Sequence, residues 1–177
     1  MTMKKAIRPP SYTDLRLYTF CNFYLSSIQQ GIQSAHVVSE LFHVYADDCD
    51  DDVMLRSWAE FHKTIIVCNG GMGSDIVEGH ELLAQAVQGK YPIASFNEEP
   101  AALGGVMMTN KDFDEGVMTA FGIVLPNTVY DADAVIGRYG HTGAWEFTLP
   151  NGVKHRWAVN SVEAKIMNYV STKSLAR

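Results

Sequence analysis

One histidine and two carboxylates stand where the sequence predicts the ends of strands. His36 lies near the start of a predicted helix that follows a predicted buried strand over residues 17–25, and Glu98 and Glu99 end another predicted strand. Ligands of open α/β sheets bind at the carboxyl ends of the strands, and such side chains can activate a water or hold a ligand hydroxyl. We therefore predict His36, Glu98 and Glu99 as candidate catalytic residues. The alternative is a solvated helix face and a solvated turn.

The helix that carries His36 is predicted to be amphipathic. It is expected to begin at Ser26 or Ser27, because each has a glutamine three residues later, the spacing of a capping box. One polar arc carries Gln29, Gln33 and His36, which we predict as ligand contacts. A second arc is apolar and is expected to face the core. Its members are Ile28, Ile32, Ala35, Val38, Leu41, Phe42 and Tyr45.

A glycine-rich turn follows the strand predicted over residues 63–68. Asn69, Gly71 and Gly73 lead into a predicted helix, near whose start Asp75 and Glu78 have capping-box spacing. A strand, a glycine loop and a helix N-terminus together can cradle a phosphate, so Asn69, Gly71 and Gly73 are candidate ligand contacts. The third glycine of a dinucleotide fingerprint and the Walker lysine are missing, which favours a plain strand-to-helix turn as the alternative.

Composition narrows the class of protein. A chain of 177 residues with 47% hydrophobic residues predicts one domain, and the low charged content of 19% weakly favours an oligomer. The net charge of −6 is unlike that of a general nucleic-acid binder. The three cysteines, Cys21, Cys49 and Cys68, have no C-x-x-C pairing, so we expect no metal site from them. Cys21 and Cys68 lie in apolar strand-like runs and are expected to be buried free thiols in a reducing compartment. We expect no cofactor. No apolar run predicts a membrane span, and we expect a cytoplasmic protein without a membrane partner.

Predicted strands and helices alternate along the first part of the chain. This order argues for an α/β protein with three layers, α/β/α, and a small mixed sheet. Strands are also predicted over residues 91–96, 104–109 and 119–125. A C-terminal β-hairpin over residues 145–157, around an Asn-Gly turn, and a last helix follow. We divide the chain into a loosely ordered lead-in (1–16), an α/β domain (17–126) and a hairpin–helix extension of the same domain (127–177).

The element order and one short motif resemble the type 2 peptidyl-tRNA hydrolases. Residues 33–36 (QSAH) are similar to that family's Q-C-x-H helix, and residues 119–126 (TAFGIVLP) are similar to its closing strand. The resemblance covers roughly residues 17–126. It implies a peptidyl-tRNA hydrolase II-like fold, His36 with Glu98 or Glu99 as catalytic groups, a tRNA 3′ end as partner, and a homodimer.

The sequence departs from that family at two functional positions. Ser27 to Gln29 stand where the family has its lysine-rich entry, and Ala102 or Leu103 stands where it has a threonine. We therefore expect a degenerate member that binds a small nucleotide-like ligand in a strand-end pocket without catalysis. Such a protein could sequester a nucleotide signal, as viral countermeasures to host defence do. The alternative is an active peptidyl-tRNA hydrolase that cleaves the peptide–tRNA ester.

Overall fold

The computed structural model describes residues 14–45, 52–99, 116–126, 129, 144–148, 154–158 and 162–176. Four helices and six strands lie within these residues. In chain order they are β1 (Leu15–Asn22), α1 (Ser27–Val44), α2 (Asp52–Ser57) continued by a π-helical turn (Trp58–His62), β2 (Thr64–Gly71), α3 (Gly73–Val87), β3 (Ile93–Glu98), β4 (Val117–Pro126), β5 (Ala144–Thr148), β6 (Lys154–Ala158) and α4 (Val162–Ser171).

The main sheet is small and mixed. Its strand order is β2-β1-β4-β3, with β1 parallel to β2 and β4 antiparallel to both of its neighbours. Helix α1 contributes Ser34 to one face, where its hydroxyl meets that of Thr19, whereas α3 and α4 place His80 and Tyr169 against Phe121 on the other face. The predicted α/β class with a small mixed sheet is confirmed, and its helices form a layer on each side.

Because β1 and β3 both run antiparallel to β4, the carboxyl ends of β1, β2 and β3 lie at the same edge of the sheet. Asn22, Gly71 and Glu98 end these three strands. The topology therefore brings both predicted groups of site residues to one edge. The two groups are nevertheless far apart, because β2 and β3 are the outermost strands on opposite sides of the sheet. They are separated by three strand spacings, roughly 14 Å.

Helix α1 meets the sheet with a different face from the predicted one. Its buried residues are Gln30, Gln33, Ser34, Val37 and Leu41. Ile28 and Ile32 are 77% and 50% exposed, so the prediction that the whole apolar arc faces the core was wrong. The polar face can be buried because its groups are paired: Gln30 donates to the Leu25 carbonyl at 3.0 Å, and Gln33 and Ser34 also have partners.

Several predicted boundaries shift. The first strand ends at Asn22 rather than residue 25, since Phe23 and Tyr24 form an exposed turn. The capping box of α1 is Ser26 with Gln29. The hairpin pairs Trp145 with Trp157, as expected, although its Asn-Gly turn lies outside the described residues. The strand predicted over residues 104–109, most of the lead-in and Cys49 also lie outside them.

Helix α4 completes the layer that α3 begins. Ile166, Met167 and Val170 are buried, and the Tyr169 ring lies edge-on against Phe20 with centroids 5.3 Å apart. The chain after the helix then runs antiparallel beside β2, where the Ala176 amide donates to the Val67 carbonyl at 2.9 Å. The C-terminal helix and tail are thus packed into the main α/β body.

The start of α4 is held by a buried carboxylate. Glu163 contacts the Lys90 ammonium and accepts a hydrogen bond of 3.1 Å from the Tyr91 hydroxyl. Burial by itself would raise the pKa of Glu163, but the hydrogen bonds and the Lys90 charge hold that pKa below its ordinary value of 4.5. A carboxylate whose pKa is lower in the folded protein than in the unfolded chain stabilises the fold above the unfolded pKa.

We therefore expect the stabilisation by Glu163 to be complete at neutral pH and to be lost as the pH falls below about 4.5 and through the lowered pKa. The measurement is thermal unfolding of the wild type and Glu163→Gln between neutral and acidic pH. The wild type should melt higher at pH 7, and the difference should shrink as the pH falls. Glu60→Gln, at an exposed position on the π-helical turn, is the matched control and should show no such trend. A constant difference at every pH would contradict the assignment.

Candidate functional site

A buried glutamine links the helix to the carboxylate at the end of β3. Gln33 is 5% exposed, and its amide nitrogen donates to Glu98 Oε2 at 2.7 Å. Its amide oxygen accepts from the hydroxyl of Thr119, which is 1% exposed, also at 2.7 Å. Both ends of the amide are therefore bonded, which fixes its orientation. The Glu98 side chain is held in one place while the residue remains partly exposed.

Thr119 reaches Gln33 through an irregularity in β4. Phe96 pairs with Ala120, but the next pair is Asn97 with Met118, so Thr119 is an extra residue in β4. Such a bulge changes the direction in which the side chain points. In a regular strand, neighbouring side chains point to opposite faces, so Thr119 would point away from α1. The bulge instead turns the Thr119 hydroxyl toward α1, where it donates to Gln33. The bulge therefore gives the side-chain oxygen of Gln33 its hydrogen-bond donor, Thr119.

His36 lies one helical turn beyond Gln33 and stacks on an aromatic ring of β3. The rings of His36 and Phe96 have centroids 4.3 Å apart and planes within 9° of each other. Phe96 and Glu98, two residues apart on the strand, both face α1. Because His36 is exposed, its outer ring face is open to solvent. We call Gln33, His36, Phe96, Glu98 and Thr119 the strand-end site.

Glu99 and Gln29 lie apart from these contacts. Glu99 is exposed and follows the end of β3. Gln29 is exposed, and its side-chain oxygen accepts from the Ser26 backbone amide at 2.9 Å, as part of the helix cap. Of the residues predicted from the sequence, the structure therefore brings together Gln33, His36 and Glu98. Their roles, and those of Glu99 and Gln29, remain predictions.

The glycine turn after β2 is filled by a side chain of its own helix. The Met72 amide donates to Asp75 Oδ2, and the Gly71 amide donates to Asn69 Oδ1, each at 2.9 Å. Gly71 has a φ of +94°, and a Cβ there would lie 2.7 Å from Asp75 Oδ2. A glycine is needed at position 71 because the Asp75 carboxylate lies so close to its Cα. This carboxylate occupies the position at the start of the helix where a bound phosphate was predicted. Gly73 is the first residue of α3.

Asp75 therefore caps the helix in a different way from the predicted one. Helix α3 begins at Gly73, with Met72 as its N-cap and Asp75 as the third helical residue. Asn69 also lines a cleft of about 230 Å³ at this end of β2. The other residues of the cleft are Phe23, Gln30, Ser174, Leu175 and Ala176.

Two cysteines are buried among polar and apolar neighbours. Cys21 and Cys68 are free thiols, as predicted. Burial raises the pKa of Cys21, and burial together with the charge that Cys21 carries once it ionises raises the pKa of Cys68 to about 11. Both thiols are therefore protonated at neutral pH, which argues against a nucleophilic role. Among the described residues no three His, Cys, Asp or Glu side chains lie close enough together to hold a metal ion.

Sequence reasoning missed Phe96 and Thr119. Phe96 carried a usable signal, because it stands two residues before Glu98 and strand alternation puts both on one face. Thr119 carried none, since a one-residue bulge depends on how two strands pair. No protein-family model matches the chain, and no curated protein matches it. Within the described residues no helix has the length and apolar character needed to cross a bilayer.

Proposed function

We propose that this protein binds a small nucleoside or nucleotide at the strand-end site, as a non-catalytic relative of the peptidyl-tRNA hydrolase II-like fold. The observation that carries the proposal is the Glu98 carboxylate, held by the buried Gln33 amide beside the His36–Phe96 stack. An open aromatic face accepts a planar base, and a fixed carboxylate accepts hydrogen bonds from base N–H groups or ribose hydroxyls. These are the two recognition elements that a nucleoside needs.

Charge supports binding over hydrolysis of peptidyl-tRNA. The described elements α1, β3 and β4, which frame the site, contain no lysine or arginine. A tRNA substrate brings many phosphates, whose binding requires cations. The flat stacking of His36 on Phe96 also suits a role as a surface for a base. A protein that holds a nucleotide without turnover lowers its free concentration, which is how a nucleotide signal would be sequestered.

The test is a thermal-shift screen with nucleosides and with linear and cyclic nucleotides, followed by calorimetry of the compounds that shift. A ligand that binds only the folded state raises its stability by RT ln(1 + [L]/Kd). We expect Glu98→Gln to weaken binding roughly 10- to 100-fold, because a charge-assisted hydrogen bond contributes about 1.5–3 kcal/mol. His36→Ala should weaken it roughly tenfold through lost stacking.

Glu99→Gln is the matched control, since it makes the same chemical change one residue away at an exposed position. It should leave the affinity unchanged. Equal losses in Glu98→Gln and Glu99→Gln would place the ligand elsewhere. Release of peptide from a peptidyl-tRNA mimic, abolished in His36→Ala, would replace the binding proposal with the hydrolase alternative.

A further inference from the structure

A small cleft lies at the carboxyl ends of β1 and β2, and the C-terminal tail of the chain forms one of its walls. The Asn69 backbone amide donates to the Ser174 carbonyl at 2.9 Å, and this bond holds the tail beside β2. The cleft has a volume of about 230 Å³. We call this space the tail cleft. Its lining residues are Phe23, Gln30, Asn69, Ser174, Leu175 and Ala176.

Two amide side chains of the tail cleft lie on the same face of the sheet. Asn69 pairs with Cys21 across β2 and β1, and the side chains of paired residues point to the same face. The Cys21 thiol donates to the backbone carbonyl of Gln30 on α1 at 3.4 Å. The Asn69 side chain therefore points toward α1, and it lines the same cleft as the Gln30 side chain.

One end of each amide is bonded to the backbone, and this bond fixes which end remains for a ligand. The Gln30 side-chain nitrogen donates to the Leu25 carbonyl at 3.0 Å, which leaves the side-chain oxygen. The Asn69 side-chain oxygen accepts from the Gly71 amide at 2.9 Å, which leaves the side-chain nitrogen. Among the described residues, neither remaining atom has a hydrogen-bond partner. The cleft thus contains one acceptor and one donor of fixed identity.

The Gln30 oxygen can be reached only from the cleft side. Gln30 is 5% exposed, yet its side-chain oxygen is not among the fully enclosed polar atoms of the described residues. The open space that Gln30 lines is the tail cleft. A buried acceptor without a protein donor is stabilised when a molecule in that space donates to it.

We propose that the tail cleft is a second ligand site, which binds an uncharged planar group that carries an N–H donor beside an acceptor. The Gln30 oxygen accepts from the donor of this group, and the Asn69 nitrogen donates to its acceptor. Primary carboxamides and the amino-substituted edge of adenine both present such a pair. Asparagine and glutamine amides read adenine in DNA through the same complementarity.

The size and the lining of the cleft limit the class of ligand. Sites for drug-sized ligands have volumes of roughly 300–1,000 Å³, so a cleft of about 230 Å³ accepts one ring system rather than a whole nucleotide. None of its lining residues has a titratable side chain. A charged ligand would lose hydration there without gaining an ionic partner, which favours a neutral one. Phe23 and Leu175, which are 55% and 65% exposed, supply apolar surface for a ring.

Ligands of the same shape test the donor and acceptor pair. Benzamide has a donor beside an acceptor, benzamidinium has donors only, and benzoate has acceptors only. NMR titration of the isotope-labelled protein should show saturable binding of benzamide, with a dissociation constant on the order of 1 mM for so small a ligand. Benzamidinium and benzoate should bind roughly tenfold more weakly or worse. The signals that shift should include the side-chain amides of Gln30 and Asn69 and the backbone amide of Ala176.

Adenine in the same titration distinguishes the two sources of this chemistry. Purine, which lacks the amino group, is its matched control and should bind more weakly than adenine. Tighter binding of adenine than of benzamide would assign the cleft to a nucleobase, and the reverse order would assign it to a carboxamide. Both results support the site.

Asn69→Asp should reverse the preference for these ligands. The aspartate keeps the acceptor for the Gly71 amide and replaces the side-chain nitrogen with a second oxygen, so the cleft then contains acceptors only. Benzamide should bind roughly tenfold more weakly, and benzamidinium should become the tighter ligand. Asn168→Asp makes the same change at an exposed position on α4 and should bind like the wild type. Phe23→Ala should weaken benzamide without changing the order of the ligands, and it tests the site independently if Asn69→Asp does not fold.

Three results would overturn the proposal. They are the absence of saturable binding of both benzamide and adenine, equal binding of benzamide and benzoate, and signal shifts confined to the amides around His36 and Glu98. The last result would place the ligand at the strand-end site. Saturable binding at the tail cleft does not require that the strand-end site bind a nucleoside, so the two proposals can fail separately.

Discussion

Phe121→Ala is expected to lower the free energy of unfolding by about 3–5 kcal/mol, the usual cost of deleting a fully buried phenylalanine. Phe121 is 0% exposed at the centre of β4, and its ring stacks on Phe20 with centroids 4.8 Å apart. The ring also meets His80 of α3 and Tyr169 of α4. Its loss would leave a cavity where two strands and two helices meet, and surrounding side chains cannot close it without breaking these contacts.

Urea unfolding of the wild type and Phe121→Ala measures this difference, with the slope m showing whether both unfold alike. Phe121→Leu retains most of the apolar volume and should cost only about 1–1.5 kcal/mol. Phe23→Ala makes the same truncation at a 55% exposed position and should cost about 0.5 kcal/mol or less. If Phe121→Ala cost no more than Phe23→Ala, the packing of α3 and α4 on this face would be wrong.

Two helix glycines should respond in opposite directions to the same substitution. Gly31 in α1 has open space around it, so Gly31→Ala should stabilise by about 0.5–1 kcal/mol through helix propensity. In Gly79 of α3, an added Cβ would lie 2.0 Å from the Tyr169 hydroxyl and 2.6 Å from its ring carbon Cζ. We expect Gly79→Ala to destabilise by about 1–3 kcal/mol despite the same gain in propensity.

The side chain of Tyr169 cannot move aside easily to make room for a Cβ at position 79. Its ring lies edge-on against Phe20, and the Lys173 ammonium stands 4.6 Å from the ring centroid on α4's C-terminal side. Its hydroxyl is buried without a hydrogen-bond partner in the part of the chain that the structure describes. Burial, together with the Asp75 carboxylate and with the Cys68 thiolate that forms only at high pH, raises the pKa of Tyr169 to about 12. The hydroxyl is thus neutral and tightly enclosed.

A double-mutant cycle separates these effects. Tyr169→Phe should be neutral or stabilising, because it removes an unpaired buried hydroxyl. It should also relieve part of the cost of Gly79→Ala, so the two changes should not be additive. Denaturant unfolding of Gly79→Ala, Tyr169→Phe and the double variant measures this coupling. Equal effects of Gly31→Ala and Gly79→Ala would contradict the close approach of α4 to α3.

Local patterns in the sequence were sufficient to predict most of the helices and strands that surround the strand-end site. Ser26 and Gln29 marked the start of α1, and the apolar run of β4 marked a buried strand, because capping and burial leave local patterns. The exit from β1 was placed too late, since the aromatic residues Phe23 and Tyr24 have the composition of a strand but lie in a turn. Composition alone does not show which aromatic residues are solvated.

The sequence by itself determined the α/β class and the approximate positions of β1, α1 and β4. Only the tertiary structure decided which face of α1 is buried, because that depends on partners supplied by other elements: Thr119 and Glu98 satisfy the amide of Gln33. A helix with two plausible faces buries the one whose polar groups are paired, and pairing is a property of the assembled fold. The same choice leaves Ile28 and Ile32 exposed to solvent.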